Sequence, residues 1–165
     1  MRCWLYKCNV AGGPAGYWGD WRGMVFNEKG PVEWGGDYST RSPEVSRTLA
    51  TDVSVGDVVV SYQTNLLGVV GFCTVTRIDG ASGSRRLWLQ PIEAVEPPFL
   101  IHAHKHGTPL EHASAVRGPV MLRELSRVAM ESLVGLSGAP KRVLRGKRAT
   151  GGWRPVKAPP GSFTH

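Results

Sequence analysis

Two apolar runs set back to back constrain this chain more than any other feature in it. Residues 57–63 read DVVVSYQ and residues 66–78 read LLGVVGFCTVTRI, with only Thr64 and Asn65 between them. Both are rich in β-branched residues, so they predict two neighbouring buried strands. Residues 3–8 (CWLYKC) predict an earlier strand that breaks into the glycine-rich AGGPAG, and Cys3 and Cys8, of opposite parity, should point to opposite faces of it. Residues 85–95 (RRLWLQPIEAV) predict a fourth strand, in which Pro91 demands an edge position or a bulge because it has no N–H to give. Residues 120–125 (VMLREL) read as extended. Two helices complete the pattern. Ser42-Pro43-Glu44 offers an N-cap and a first-turn proline for a short helix over 43–50, with Val45 and Leu49 at helical spacing. Ser126 caps a second helix, whose Val128, Ala129, Leu133 and Leu136 are expected to face the core before Ser137-Gly138-Ala139-Pro140 stops it.

At 165 residues, with 41% hydrophobic and 20% charged residues, one hydrophobic core with a tail is the expected organisation. No apolar run reaches the ~18 residues of a membrane span, and MRCWLYKCNV lacks the apolar stretch of a secretory signal, so a cytoplasmic location is expected. Three cysteines with no CxxC pairing predict reduced thiols and no zinc site. The net charge of +7 sits in one place. Residues 139–165 hold Lys141, Arg142, Arg145, Lys147, Arg148, Arg154 and Lys157 and no acid, which leaves thirteen cations against thirteen acids in the rest. The chain therefore divides into a neutral domain, 1–138, and a basic Gly/Pro-rich tail, 139–165, suited to salt-sensitive attraction to phosphates or simply to solvation. From Pro140 onward weak order is expected, unless Trp153 or Phe163 docks.

No GxSxG, P-loop, strand-borne GxGxxG or HExxH occurs. His102, His104 and His106 alternate, which in an extended segment would put three imidazoles on one side, with His112 and Glu111 beyond. A metal site needs further ligands that the sequence does not offer there, so a polar loop whose histidines meet phosphate is the competing reading. The aromatics are more telling. Residues 17–38 hold Tyr17, Trp18, Trp21, Trp34 and Tyr38 among glycines, prolines and aspartates, where a pocket for a flat heterocycle would be built by stacking. The plainer alternative is that these rings cap a small sheet.

Several of these residues form a recognisable pattern. Trp4-Leu5-Tyr6-Lys7-Cys8-Asn9 is similar to the opening strand W-L-x-K-S-E/N of EVE and YTH domains. Residues 55–65 (VGDVVVSYQTN), followed by Gly68-Val69-Val70-Gly71, resemble the EVE pattern V-G-D-x-V-x-F-Y-H-S-N then G-I-V-G, with Gln63 and Thr64 as departures. Trp34-Gly35-Gly36 lies where that family has its W-D/S-G segment, and residues 120–136 look like its closing strand and helix. The resemblance implies an α+β, PUA-like fold: a bent mixed sheet or pseudo-barrel of five to six strands with flanking helices. It further implies a non-catalytic reader of a modified, methylated base in DNA or RNA, flipped into an aromatic pocket. Carried over by position, Trp34 is the principal cage wall beside Gly35. Lys7, Cys8 and Asn9 form the pocket floor, and Tyr62, Thr64 and Asn65 add further contacts. Trp18, Trp21 and Trp88 are candidates for the remaining wall on aromatic content and position, not on a motif match. Arg41, Arg85 and Arg86 join Lys141, Arg142, Arg145, Lys147 and Arg148 of the tail as candidate phosphate contacts. No cofactor or metal is implied, and the expected partners are nucleic acid together with a nuclease or other effector protein. Two other readings stay open: an RNA-binding accessory that reads shape without a modified base, and a hydrolase that uses His102, His104 or His106.

Overall fold

The computed structural model describes residues 1–10, 17–34, 43–113, 116 and 121–154, without the side chains of Tyr17 and Trp18. Strand β1 (Cys3–Asn9) occupies the middle of a mixed sheet. On one side it runs parallel to β4 (Val58–Gln63), with Cys3 opposite Val58 and Cys8 opposite Gln63. On the other it meets the two-residue β2 (Tyr17–Trp18), parallel, and β7 (Leu122–Leu125), antiparallel. From β4 the sheet continues antiparallel through β5 (Gly68–Asp79) and β6 (Arg86–Phe99) to the two-residue β3 (Val32–Glu33). The result is the expected α+β mixed sheet, with the five anticipated strands all present and two short ones added.

Alternation along β1 and β4 divides the interior into two layers. Cys3, Leu5, Val58, Val60 and Tyr62 face one core, which is closed by Leu110, Val143 and the helix α3 (Arg127–Ser137). Trp4, Tyr6, Cys8 and Val59 face the other. That second core is closed by a π-helical turn over Arg22–Phe26, by Trp21 and Trp34, and by Val45 and Leu49 of α1 (Pro43–Thr51). Cys3 and Cys8 thus lie on opposite faces, as a side-chain period of two requires. Asp57, 3% exposed, ties the start of both central strands together. Its carboxylate accepts from Arg2 N at 2.9 Å, from Trp4 Nε1 at 3.0 Å and from Ser54 N at 2.9 Å.

The sheet bends where β5 and β6 slip in register, and Pro91 stands opposite Cys73 beside one such slip, so it is accommodated at an irregularity. Gly71 lies in another. A Cβ there would stand 2.3 Å from the Phe26 ring and 2.6 Å from Glu93 O, so only glycine admits the π-turn against the strand.

Two expectations need correction, and a third meets its stated exception. In α3 the buried stripe is Ala129, Met130, Leu133 and Val134, while Val128 and Leu136 are 59% and 43% exposed. The Ser126 hydroxyl accepts from Ala129 N at 3.1 Å, which fixes the phase of the first turn, and at ~100° per residue the core side falls one position later than anticipated. Residues 101–104 are not extended but form a helical turn, α2 (Ile101–His104), drawn in by fully buried Ile101. Helical spacing turns His102 and His104 roughly 200° apart. Finally, Lys141–Arg145 forms a 3-10 turn with Val143 in the first core, and Trp153 packs on Phe26 with ring centroids 5.8 Å apart. Order therefore continues past Pro140 because an apolar side chain and a tryptophan both find the body. No helix among the described residues is long and apolar enough to cross a membrane.

Candidate nucleic-acid interface

Because β1 and β4 are parallel, both leave the sheet at the same end, and their last residues lie side by side. Cys8 and Gln63 point into the second core there. Cys8 is fully buried, and burial pushes its thiol well above its ordinary range. Trp34 lies on Trp21 with ring centroids 4.5 Å apart and planes inclined by 31°, and Tyr6 meets Trp21 edge-on at 5.7 Å. Gly19 covers the outer ring of Trp34 so closely that a Cβ would come within 2.6 Å of it. At 3% exposure Trp34 shows almost no ring face to solvent.

Gln63 organises this end. Its Oε1 accepts from Trp21 N at 3.0 Å, and its Nε2 donates to Gly19 O at 3.0 Å and to Asn65 Oδ1 at 2.7 Å. The Thr64 hydroxyl donates to Cys8 O at 3.0 Å, Val10 N donates to Asn65 Oδ1 at 3.5 Å, and Gly19 N to Asn9 O at 3.0 Å. One buried amide thus ties the chain after β2 to the turn after β4. The sequence marked Gln63 only as a departure from a motif. Its signal was a carboxamide ending an otherwise apolar strand, since such a group cannot be buried without partners for both donor and acceptor.

The anticipated pocket floor does not hold together as one surface. Lys7 precedes Cys8 in the same strand and so faces the other core, beside Tyr62. Its Nζ donates to Val116 O at 3.4 Å and stands 5.9 Å from the Tyr62 ring, which meets His102 edge-on at 6.4 Å. Burial first, and then Arg123, hold the Lys7 ammonium below its usual pKa, while burial raises that of Tyr62. His102 is lowered by burial, then by Lys105 and Lys7. The anticipated set therefore separates by parity, with Cys8 and Trp34 on one face and Lys7 and Tyr62 on the other.

Trp88 joins neither group, although its strand pairs with β3 immediately before Trp34. It faces away from Leu87 and Leu89, which pack in the core of Trp34, and lies between Arg77 at 4.7 Å and Arg86 at 5.6 Å. Those two arginines are paired in turn with Asp79 and with Glu33. Arg85 donates to Leu49 O and Val53 O, so it clasps the end of α1. Trp18 is held by the backbone pairing of β2 to Asn9. Gly35 and Arg41 lie outside the described residues, as does Tyr38. Lys141, Arg145, Lys147 and Arg148 are exposed, while Arg142 is turned inward onto Glu93 and Ile92 O.

No family model matches the sequence, and no curated protein matches it. Solved structures do. Protein Atu2648 from Agrobacterium tumefaciens superposes with a TM-score of 0.65 at 19% identity, over 90% of this chain and 99% of its own. Human THYN1 protein, solved in complex with DNA containing 5-methylcytosine, gives 0.61 at 14% identity, over 85% of this chain and 99% of its own. The DUF55 domain of human thymocyte nuclear protein 1 gives 0.59 at 15% identity, over 84% and 99%. At these identities the likeness is one of architecture, and the chain has the PUA-like fold of those domains.

Proposed function

We propose that this protein is a non-catalytic nucleic-acid reader that recognises a methylated base at the Trp21, Trp34 and Gln63 end of the sheet, working beside a nuclease or other effector. The observation that carries this reading is the fold held in common with human THYN1 protein, whose structure was solved with 5-methylcytosine-containing DNA. The local chemistry agrees with it. The tilted pair of indoles, once parted, offers the apolar, polarisable faces that a flat base and its methyl group prefer, and stacking is worth about 1–3 kcal/mol per base. The Asn65 amide lies exposed at the same end and supplies edge hydrogen bonding, while the buried Gln63 amide, engaged by Trp21 N, Gly19 O and Asn65 Oδ1, holds it in place. Since Trp34 already rests on Trp21, entry of a base exchanges one ring contact for another: Trp34 swings off Trp21 and the base takes the place between them. That exchange offsets the unstacking a flipped base leaves behind.

The test is a binding titration with oligonucleotides of one sequence carrying cytosine, 5-methylcytosine, 5-hydroxymethylcytosine or N6-methyladenine, in single and double strands. The expected result is a preference of about tenfold or more for one modified base, abolished by Trp34→Ala while binding to the plain oligonucleotide persists. Equal binding to all of them would overturn the reading and leave a protein that recognises nucleic-acid shape.

A further inference from the structure

Cations outside any ion pair are concentrated in one part of this molecule. In the body, Arg2, Arg22, Arg77, Arg86, Arg123 and Arg127 each close on a carboxylate, with Lys29, Arg47 and Lys105 scattered singly among them outside any ion pair of the described residues. After Pro140 the pattern changes. Lys141, Arg145, Lys147, Arg148 and Arg154 are exposed, and none has an ion-pair partner among the described residues. Yet the segment that carries them is fixed to the body at three points. Val143 is fully buried in the first core. Arg142 donates to Ile92 O at 2.7 Å and Lys147 O at 2.9 Å and is paired with Glu93, so it pins the segment to β6. Trp153 packs on Phe26, the last residue of the π-turn that follows Trp21. Between Ile92–Ala94 and the returning chain runs a groove of about 480 Å³, lined by Gly151, Gly152, Trp153 and Arg154.

We infer that residues 141–154 are a docked strap which presents a fixed set of cations to nucleic-acid phosphates, with Arg142 and Trp153 as its positioning residues. The inference rests on the reading of this protein as a nucleic-acid binder and adds the surface along which the phosphate backbone lies. Unpaired cations concentrated on an acid-free segment match a polyanion, and a polyanion gains most from cations whose geometry is already fixed, because less motion is lost on binding. Through Phe26 and the π-turn, the strap is also packed against the element that carries Trp21. The cations are thereby held in constant relation to the aromatic pair.

The experiment uses the full chain and plain duplex DNA, with no modified base. Trp153→Ala and Glu93→Gln each release one anchor without removing a strap cation, and Glu93→Gln raises the net charge by one. A tail acting by charge alone would bind the duplex as tightly as before, or more tightly. A docked strap predicts binding weakened roughly three- to tenfold near 0.15 M salt, with a shallower dependence on salt. Hydrogen exchange of the unsubstituted chain gives a second readout that needs no variant. The amides of Gly146 and Lys147, bonded to Val143 O and Arg142 O, are expected to be protected in the free protein and to exchange faster in both variants. Unchanged or tighter binding by the variants, or unprotected amides in the parent, would overturn the inference. Absence of a modified-base preference would sink the reader assignment alone and leave the strap result standing.

Discussion

Gln63 shows how much one buried side chain can decide at this end of the sheet. Its amide is the partner of Trp21 N and of Gly19 O, and both groups lie under the aromatic pair where water cannot replace it. Replacing it by leucine keeps the bulk and removes both bonds, so two buried backbone groups lose their partners at about 1–3 kcal/mol each. Gln63→Leu is therefore expected to lower stability by roughly 2–6 kcal/mol in urea unfolding, whereas Asn65→Ala, which removes an acceptor near the surface, costs less than about 1 kcal/mol. Equal losses from the two would mean that Gln63 is an ordinary core residue. Gly19 offers a separate probe of the same place. A methyl at position 19 has to push the Trp34 ring aside, so Gly19→Ala should alter base preference more than it alters binding to a plain oligonucleotide.

At the scale of elements, the telling contact is between β5 and the π-turn. Phe26 reaches the sheet only because Gly71 has no side chain, and overpacking of this kind costs about 1–3 kcal/mol. Gly71→Ala should therefore destabilise the protein by that amount in denaturant unfolding and, because Phe26 also carries Trp153, accelerate amide exchange in the strap. A loss of stability with the strap unaffected would show that the two are not joined through Phe26. The strands were legible in the sequence because β-branched runs at 58–63 and 68–79 have few alternatives, and α1 was legible from Pro43, Val45 and Leu49. The π-turn was not. Trp21, Val25 and Phe26 are all fully buried, yet they lie among glycines and charged residues, where local preference predicts a loop and only the notch at Gly71 makes a helical turn worthwhile. The candidate site was legible as a list of residue types and not as a surface. Motif positions put Lys7, Cys8 and Tyr62 into one pocket, and the strand alternation along residues 4–9 that sends Lys7 to the face of Tyr62 and Cys8 to the other was already readable.

For the molecule as a whole, the two cores carry ionisable groups that couple folding to alkaline pH, and they do not all pull one way. Burial raises the pKa of Cys8 well above 9.0, brings Cys73 up to about 12, and also raises Cys3 and Tyr62. For each of these the folded state holds a proton that the unfolded chain releases first. The associated stability is complete below the ordinary pKa, 9.0 for the thiols and 10.0 for the tyrosine, and is lost as pH rises toward the folded value. Lys7 acts in the opposite sense. Its folded pKa lies below 10.5, so the cost of burying its ammonium is relieved as pH climbs to that value. Three thiols and a tyrosine outweigh one lysine, and the thermal midpoint is expected to fall steadily between pH 9 and 11. Cys73→Ala provides the control. It opens a small cavity and lowers the midpoint at pH 7, yet it removes one of the protons at issue, so the decline from pH 9 to 11 should be shallower than in the parent. The same burial predicts that thiol reagents at pH 8 leave all three cysteines unmodified in the native protein and react with all of them in denaturant. A midpoint that stays level across pH 9–11, or a thiol that reacts in the native state, would mean that the layer around Cys8 and Cys73 opens to water. The closed seat of Trp34 on Trp21 would then no longer describe the resting protein.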